Sequence, residues 1–124
     1  MHDLRATDIH PFFPAKDFAL SKRFYAALGC ETHEVGPGLA LMKIGEQQHF
    51  YIQDYYLKAV AENSMLHVTV ESAGDWHRHA ASVLESGSFP GARVQLPSRQ
   101  PYGATVVFAH DPTGVLLHLC QWDR

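Results

Sequence analysis

Leu66-His67-Val68-Thr69-Val70, followed by Gly74-Asp75 and a helical stretch closing on Ser86-Gly87, repeats an earlier part of the same chain. Its counterpart is Ile9-His10-Pro11-Phe12-Phe13, which leads into Lys16-Asp17 and a helical stretch ending at Leu28-Gly29. The run from histidine to terminating glycine is 19 residues in the first copy and 20 in the second. A second correspondence closes each copy, because Gly45 and Gly114 each stand four residues before a histidine, His49 and His118. The repeat therefore pairs His10 with His67 and His49 with His118. Imidazoles placed at both ends of a duplicated unit are expected to collect around one metal ion.

The pattern outward from these segments reads as strand, helix and then two or three antiparallel strands, twice over. The first strand is expected over Asp8–Pro14. Asp17 is a suitable N-cap, Phe18, Tyr25 and Leu28 give an apolar helical face, and Gly29 supplies the C-terminal stop. Gly36-Pro37-Gly38 is a turn, and Leu39–Ile44 with His49–Gln53 reads as a hairpin around Gly45-Glu46. Asp54–Ser64 is a polar connector of weak helical character. The second copy opens with Met65–Val70 and a helix from about Asp75 to Glu85, with Trp76, Ala80, Val83 and Leu84 on its buried side. A kinked strand follows at Phe89–Leu96, a loop at Pro97–Gly103, a β-branched strand at Ala104–Ala109, the turn Asp111-Pro112-Thr113-Gly114, and a last strand at Val115–Trp122. The expected organisation is one domain over residues 1–124, with modules at about 8–54 and 65–122 and a linker at 55–64.

Side chains alternate between the faces of a strand. Leu66, Val68 and Val70 belong to a face meeting the helix, which leaves His67, Thr69 and Glu71 opposite. Leu117 and Leu119 likewise leave Leu116, His118, Cys120 and Trp122 opposite. Phe50 and Ile52 leave His49, Tyr51 and Gln53, and the first strand adds His10, Phe12 and Pro14. All four paired histidines thus share a face turned away from the helices, and a sheet curved about that face forms a cup.

Composition narrows the function. The net charge of −3 comes without a basic stripe, which argues against nucleic acid and anionic membrane as partners. Met1-His2-Asp3-Leu4-Arg5 lacks the apolar core of a signal peptide, and no apolar run approaches about 18 residues. The two cysteines, Cys30 and Cys120, sit in apolar surroundings without CxxC spacing, so a reduced, cytoplasmic protein is expected. Of the nine histidines, His2, His33, His77 and His79 read as surface residues and His110 as structural.

Asp17 followed by Phe24-Tyr25-Ala26-Ala27-Leu28-Gly29, and Asp111-Pro112-Thr113-Gly114 ahead of the last strand, resemble the vicinal oxygen chelate superfamily. That group includes glyoxalase I, bleomycin-resistance proteins, fosfomycin-resistance transferases and extradiol dioxygenases. The resemblance runs from about Ile9 to Trp122 and implies an α+β fold of paired βαβββ modules around a U-shaped cleft, often completed by module exchange in a homodimer. Metal-dependent members take ligands from the first and last strands of each module. By that resemblance His10, His67, His118 and His49 are the metal candidates. The last-strand positions hold imidazole where metal-dependent members usually carry Glu, which leaves the glyoxalase route without its usual base.

Imidazole suits Zn²⁺, Ni²⁺, Co²⁺ or Fe²⁺, and Mn²⁺ is the remaining divalent candidate. Glu71, on the face of His67, is the candidate catalytic base or orienting carboxylate, with a solvated strand-end acid as the plainer reading. Tyr51, Gln53, Phe12, Arg99, Tyr102 and Trp122 are candidate small-molecule contacts, although Arg99 and Tyr102 also suit a surface loop. Trp76 and Phe24 read as helix core, and Cys120 as a packed thiol before a soft ligand. The first functional reading is a metal-dependent lyase, isomerase or dioxygenase acting on vicinal oxygens. The second is a metal-free, bleomycin-resistance-type protein that sequesters a drug or metabolite. An interaction domain without a ligand is the third.

Overall fold

In the computed structural model, which describes residues 1–124, each half of the chain folds as strand, helix and strands. The first half comprises β1 (Phe12–Ala15), α1 (Phe18–Leu28), β2 (Glu31–Gly36), β3 (Leu39–Ile44) and β4 (Gln48–Asp54). A one-turn helix, α2 (Lys58–Ala61), bridges to the second half. There follow β5 (Met65–Thr69), α3 (Ala73–Glu85), β6 (Arg93–Val94), β7 (Ser98–Gln100), β8 (Ala104–His110) and β9 (Leu116–Trp122).

The sheets carry the duplication. The first has strand order β1-β4-β3-β2 and the second β5-β9-β8-β6, with β7 also paired to β8. In both, the opening strand lies parallel to the closing one: β1 beside β4 and β5 beside β9. The expected paired βαβββ architecture is the observed one.

Local chemistry sets the boundaries. Asp17 caps α1 by accepting from Leu20 N at 3.1 Å, and Gly29 ends it at φ 112°, where a side chain would be strained. Helix α3 begins at Ala73 and not near Asp75, because Ser72 Oγ accepts from Asp75 N at 3.1 Å and so caps the helix earlier. Strand β1 starts at Phe12 and not at Asp8. Pro11 has no N–H for a longer ladder, though its carbonyl still accepts from Tyr51 N at 2.9 Å. The strand expected over Phe89–Leu96 shrinks to Arg93–Val94, after Gly91 turns at φ 89° and before Pro97 interrupts pairing. Part of the expected loop Pro97–Gly103 is strand β7, which shares the outer edge of β8 with β6.

One core joins the halves. Phe13, Phe24, Tyr25, Leu28, Met42, Phe50 and Ile52 of the first half pack with Ala80, Ala109, Val115 and Leu117 of the second. Burying each larger side chain contributes about 1.5–3 kcal/mol. Both sheets turn their helix-side faces to this core, so their other faces point away from it. A buried polar network crosses the same seam: Tyr25 Oη donates to Asp111 Oδ2 at 2.7 Å, and Ser21 Oγ lies 3.2 Å from Thr113 Oγ1. Asp111 Oδ1 accepts from the backbone N–H of Thr113, Gly114 and Val115 at 2.9–3.0 Å. The turn before β9 is thus fixed to α1, which sets where β9 carries its outward side chains.

Candidate functional site

The outward faces of the two sheets are built alike. In the second, the register places His67 of β5 beside His118 of β9, and His118 beside Phe108 of β8. The His67 and His118 ring centroids are 6.2 Å apart, and Phe108 meets His118 edge-on at 5.0 Å. The next row brings Thr69, Cys120 and Val106 together. Trp122 completes the surface, donating from Nε1 to Thr69 Oγ1 at 3.3 Å and lying 5.8 Å from both the His67 and Tyr102 rings. Cys120 and Val106 form a buried floor, whereas Trp122 and Tyr102 stand about half exposed at the rim.

On the first sheet His10 meets His49 at 5.3 Å between centroids and Tyr51 at 5.7 Å. Phe12 and Tyr51 stack at 4.6 Å with an interplanar angle of 21°. Phe12 is 54% exposed, so one face of this stack is available for a further flat ring. Leu41 lies opposite Tyr51, and Leu39 opposite Gln53, continuing the surface. The repeat read from sequence thus has a spatial meaning: within each module the opening histidine meets the closing one, His10 just ahead of β1 against His49 of β4, and His67 of β5 beside His118 of β9.

Within one chain the expected convergence of the four imidazoles on a single ion is not met. The histidines lie two to a sheet, and no three His, Cys, Asp or Glu side chains are grouped so as to hold a metal ion. Within one chain these donors do not complete a site for the divalent ion implied by metal-dependent relatives. His10 has both ring nitrogens engaged, Nε2 3.2 Å from Asp8 Oδ2 and Nδ1 3.4 Å from the His49 carbonyl. The last-strand positions, His49 and His118, hold no carboxylate. Burial, and then the neighbouring His67, push the His118 imidazole below its ordinary pKa of 6.5, favouring its neutral form. His49 Nδ1 is buried with no hydrogen-bond partner, an uncommon state for a buried nitrogen.

Between the modules lies a cleft of about 520 Å³. Its walls are the β3–β4 hairpin end with His49 and Phe50, Leu66 to Val70 along and just past β5, and Trp76 of α3. Trp76, expected in the helix core, is instead part of this wall and only partly buried. Phe24 is core as expected.

Other candidates fall outside these surfaces. Glu71 follows the end of β5, is exposed, and pairs with Arg124 and not with an imidazole. Arg99 lies on β7 and pairs with Asp123. Phe108, Leu41, Leu39 and Met65 are contributors that sequence reading did not select. Their strand alternation placed them on the outward face, but without neighbouring histidines they looked like ordinary apolar residues.

No family model matches the chain, and no curated protein does. Solved structures do. A bleomycin resistance determinant encoded on the transposon Tn5 superimposes with a TM-score of 0.79 at 24% identity, covering 96% of this chain and all of that one. TnmS3, an antibiotic binding protein from Streptomyces sp. CB03234, gives 0.76 at 16% identity over 98% of this chain and 100% of its own. The chain has the vicinal oxygen chelate fold. A lactoylglutathione lyase from Agrobacterium tumefaciens shares that fold, with a TM-score of 0.66 and 18% identity over 94% of this chain and 95% of the lyase. No helix of the chain is long and apolar enough to cross a membrane.

Proposed function

We propose that the protein binds a flat aromatic small molecule, without chemistry, in a cup that a second copy of the chain completes. The observation that carries this reading is the exposed Phe12–Tyr51 stack. It offers a ring face beside two imidazoles, on a surface that a single chain leaves open. Trp122 and Tyr102 offer the equivalent aromatic rim on the other sheet. Offset stacking on such rings contributes about 0.5–1.5 kcal/mol per pair beyond area burial. The excess of acidic side chains favours a neutral or cationic ligand over an anionic one.

Joining Phe12, Tyr51, His10 and His49 of one chain to His67, His118 and Trp122 of another would enclose a ligand on both sides. Exposed Phe12, Tyr55, Tyr56, Leu57 and Val60 supply apolar surface for such an association. The resistance determinant and the antibiotic binding protein support the reading by likeness of fold alone. A metal-assisted lyase or dioxygenase finds less support, because no three ligands gather and Glu71 is held by Arg124.

The test is a titration of the purified chain with a panel of glycopeptide and planar aromatic drugs, followed by tryptophan fluorescence and calorimetry, with light scattering for the oligomeric state. Saturable binding by a dimer, one ligand per chain, is expected. A panel without a binder would overturn the binding reading, and full-affinity binding by a monomer would overturn the shared cup.

A further inference from the structure

The second sheet ends in an open edge. Strand β5 pairs with β9 alone, and its other side has no backbone partner. Val70 N donates to Cys120 O at 2.8 Å, and Leu116 N donates to Ser64 O at 3.1 Å. Alternate residues of a strand turn their backbone groups to opposite sides, so the even-numbered residues here face β9. The N–H and C=O of His67 and Thr69 therefore project from the free edge. That edge borders the cleft of about 520 Å³ between the modules, whose lining includes every residue from Leu66 to Val70. Consecutive residues line a cavity together when it runs along the edge of a strand and not over one face. The cup, by contrast, is built on the outward side chains of β5. Ile44 and Phe50 of the hairpin end, with Trp76 of α3, supply apolar walls to the cleft. Trp76 and Val68 are held in place against the buried cluster of Ala73, Val107 and Leu119.

We propose that this edge and its cleft bind a neutral aromatic lactam, a flat fused ring that carries a cis amide. Within one extended residue the N–H and C=O point the same way, a donor beside an acceptor. A lactam presents the complementary acceptor and donor along one side of its ring, so it pairs with both groups of His67 or of Thr69 at once. An unpaired edge is a ready template for such bonds, and edge recognition elsewhere combines main-chain hydrogen bonds with apolar pockets. The volume falls inside the range of about 300–1,000 Å³ typical of small-molecule sites. The indole of Trp76 and the hydrocarbon of Ile44, Phe50 and Val68 suit the ring carbons. A long peptide strand fits less well, because the hairpin end and Trp76 also wall the cleft. The site is complete within one chain and uses main-chain groups and helix-side residues that the cup leaves unused.

This inference stands apart from the drug-binding cup, and its test separates the two. The full chain, labelled with nitrogen-15, is titrated with 2-quinolinone and with N-methyl-2-quinolinone, followed by calorimetry and by its amide spectrum. Saturable binding of 2-quinolinone is expected, with the Trp76 indole and the His67 or Thr69 amide resonances shifting. The N-methyl compound has lost the donor, so its affinity should be about tenfold lower. That contrast is read on the parent chain and needs no variant to fold. Trp76→Ala should weaken 2-quinolinone about fivefold, whereas Phe12→Ala, which disables the cup, should leave it unchanged. In the free protein the His67 and Thr69 amides should exchange rapidly with deuterated solvent. Slow exchange would show that a strand of a second copy already holds the edge, and would overturn the assignment. So would equal affinity for the two compounds, a loss that follows Phe12→Ala and spares Trp76→Ala, or no saturable binding.

Discussion

Tyr25 of the first module and Asp111 of the second share a fully buried hydrogen bond of 2.7 Å, hydroxyl to carboxylate, across the seam between the halves. It links the two motifs, Phe24-Tyr25 and Asp111-Pro112-Thr113-Gly114, which are separated by most of the chain. Three backbone N–H groups converge on the other Asp111 oxygen. A duplicated fold needs its halves held in one relative position, and this pair does so where both last-strand surfaces depend on it.

Removing the acceptor should therefore cost more than removing the donor. Asp111→Ala leaves the buried N–H groups of Thr113 and Val115 without that acceptor, each worth about 1–3 kcal/mol, and deletes the Tyr25 bond as well, while Gly114 N–H keeps the residue-111 carbonyl at 3.1 Å, so destabilisation above about 3 kcal/mol is expected. Tyr25→Phe deletes one bond to a charged group, worth about 1.5–3 kcal/mol. Urea unfolding measures both. A Tyr25→Phe loss equal to that of Asp111→Ala would show that the backbone acceptor role is not the larger one.

The same carboxyl gives a pH dependence. Burial is the largest influence and raises its pKa above the ordinary 3.8, while hydrogen bonds from Tyr25, Val115, Gly114 and Thr113 pull it down. A carboxyl whose folded pKa is raised holds its proton longer in the folded protein. Its contribution to stability is complete below the unfolded pKa and is lost as pH rises through the folded one. Asp111→Asn cannot titrate, so the gap in stability between wild type and variant should move in the variant's favour as pH climbs through that range. A pH-independent gap would contradict the raised value. Tyr25 is also pushed well above 10.0, first by burial and then by Asp111, so it remains a donor throughout.

Phe12→Ala and Tyr51→Ala test the binding surface. Each removes a ring from a stack whose outer face is open, at about 1 kcal/mol per lost ring contact, or about fivefold in affinity. Neither ring is part of the buried core, so the thermal midpoint should change little. Calorimetry with whichever aromatic drug binds the parent chain reads the effect. Unchanged affinity in both variants would move the ligand off this face.

Much of this arrangement was legible in the sequence, and the reasons are particular. Asp17 and Gly29 bound α1 because both are suited to helix ends, and the alternation in Leu116–Trp122 separated the core face from the cup face. The edge strands were hidden. Glu31-Thr32-His33-Glu34 of β2 and Ser98-Arg99-Gln100 of β7 lie at sheet edges, exposed on most sides, so neither bears an apolar period. The pairing of histidines was readable, but their number per sheet was not. Equivalence within a repeat says which positions correspond, and strand order decides which of them touch. Because β1 lies beside β4 and β5 beside β9, correspondence became two pairs and not one cluster of four.

Both thiols should be inert in the folded protein. Cys30 and Cys120 are free and buried. Burial pushes the Cys30 thiol up to about 12 and raises that of Cys120. Since the thiolate is the reactive form, alkylation at neutral pH should be slow for both and become stoichiometric only in denaturant. Mass spectrometry after iodoacetamide treatment distinguishes the states. Prompt labelling of folded protein at Cys120 would mean that the floor of the second cup opens.

His49 makes the sharpest division between a structural and a binding role. Its Nδ1 is buried without a partner, a condition that costs about 1–3 kcal/mol when nothing offsets it. The cleft wall it shares holds apolar Ile44, Phe50 and Val68 together with Gln48, His67 and Thr69, yet Nδ1 reaches no polar atom among them. A side chain of similar size without polar atoms removes that cost, so His49→Leu should leave stability equal to the parent or raise it by up to about 1 kcal/mol. If the nitrogen is retained to meet a ligand, the same variant should bind the aromatic drug more weakly while unfolding at equal or higher urea. The two measurements move in opposite directions on that account. A variant that loses stability would show that Nδ1 has a partner in solution, and one that gains stability with unchanged binding would remove His49 from the cup.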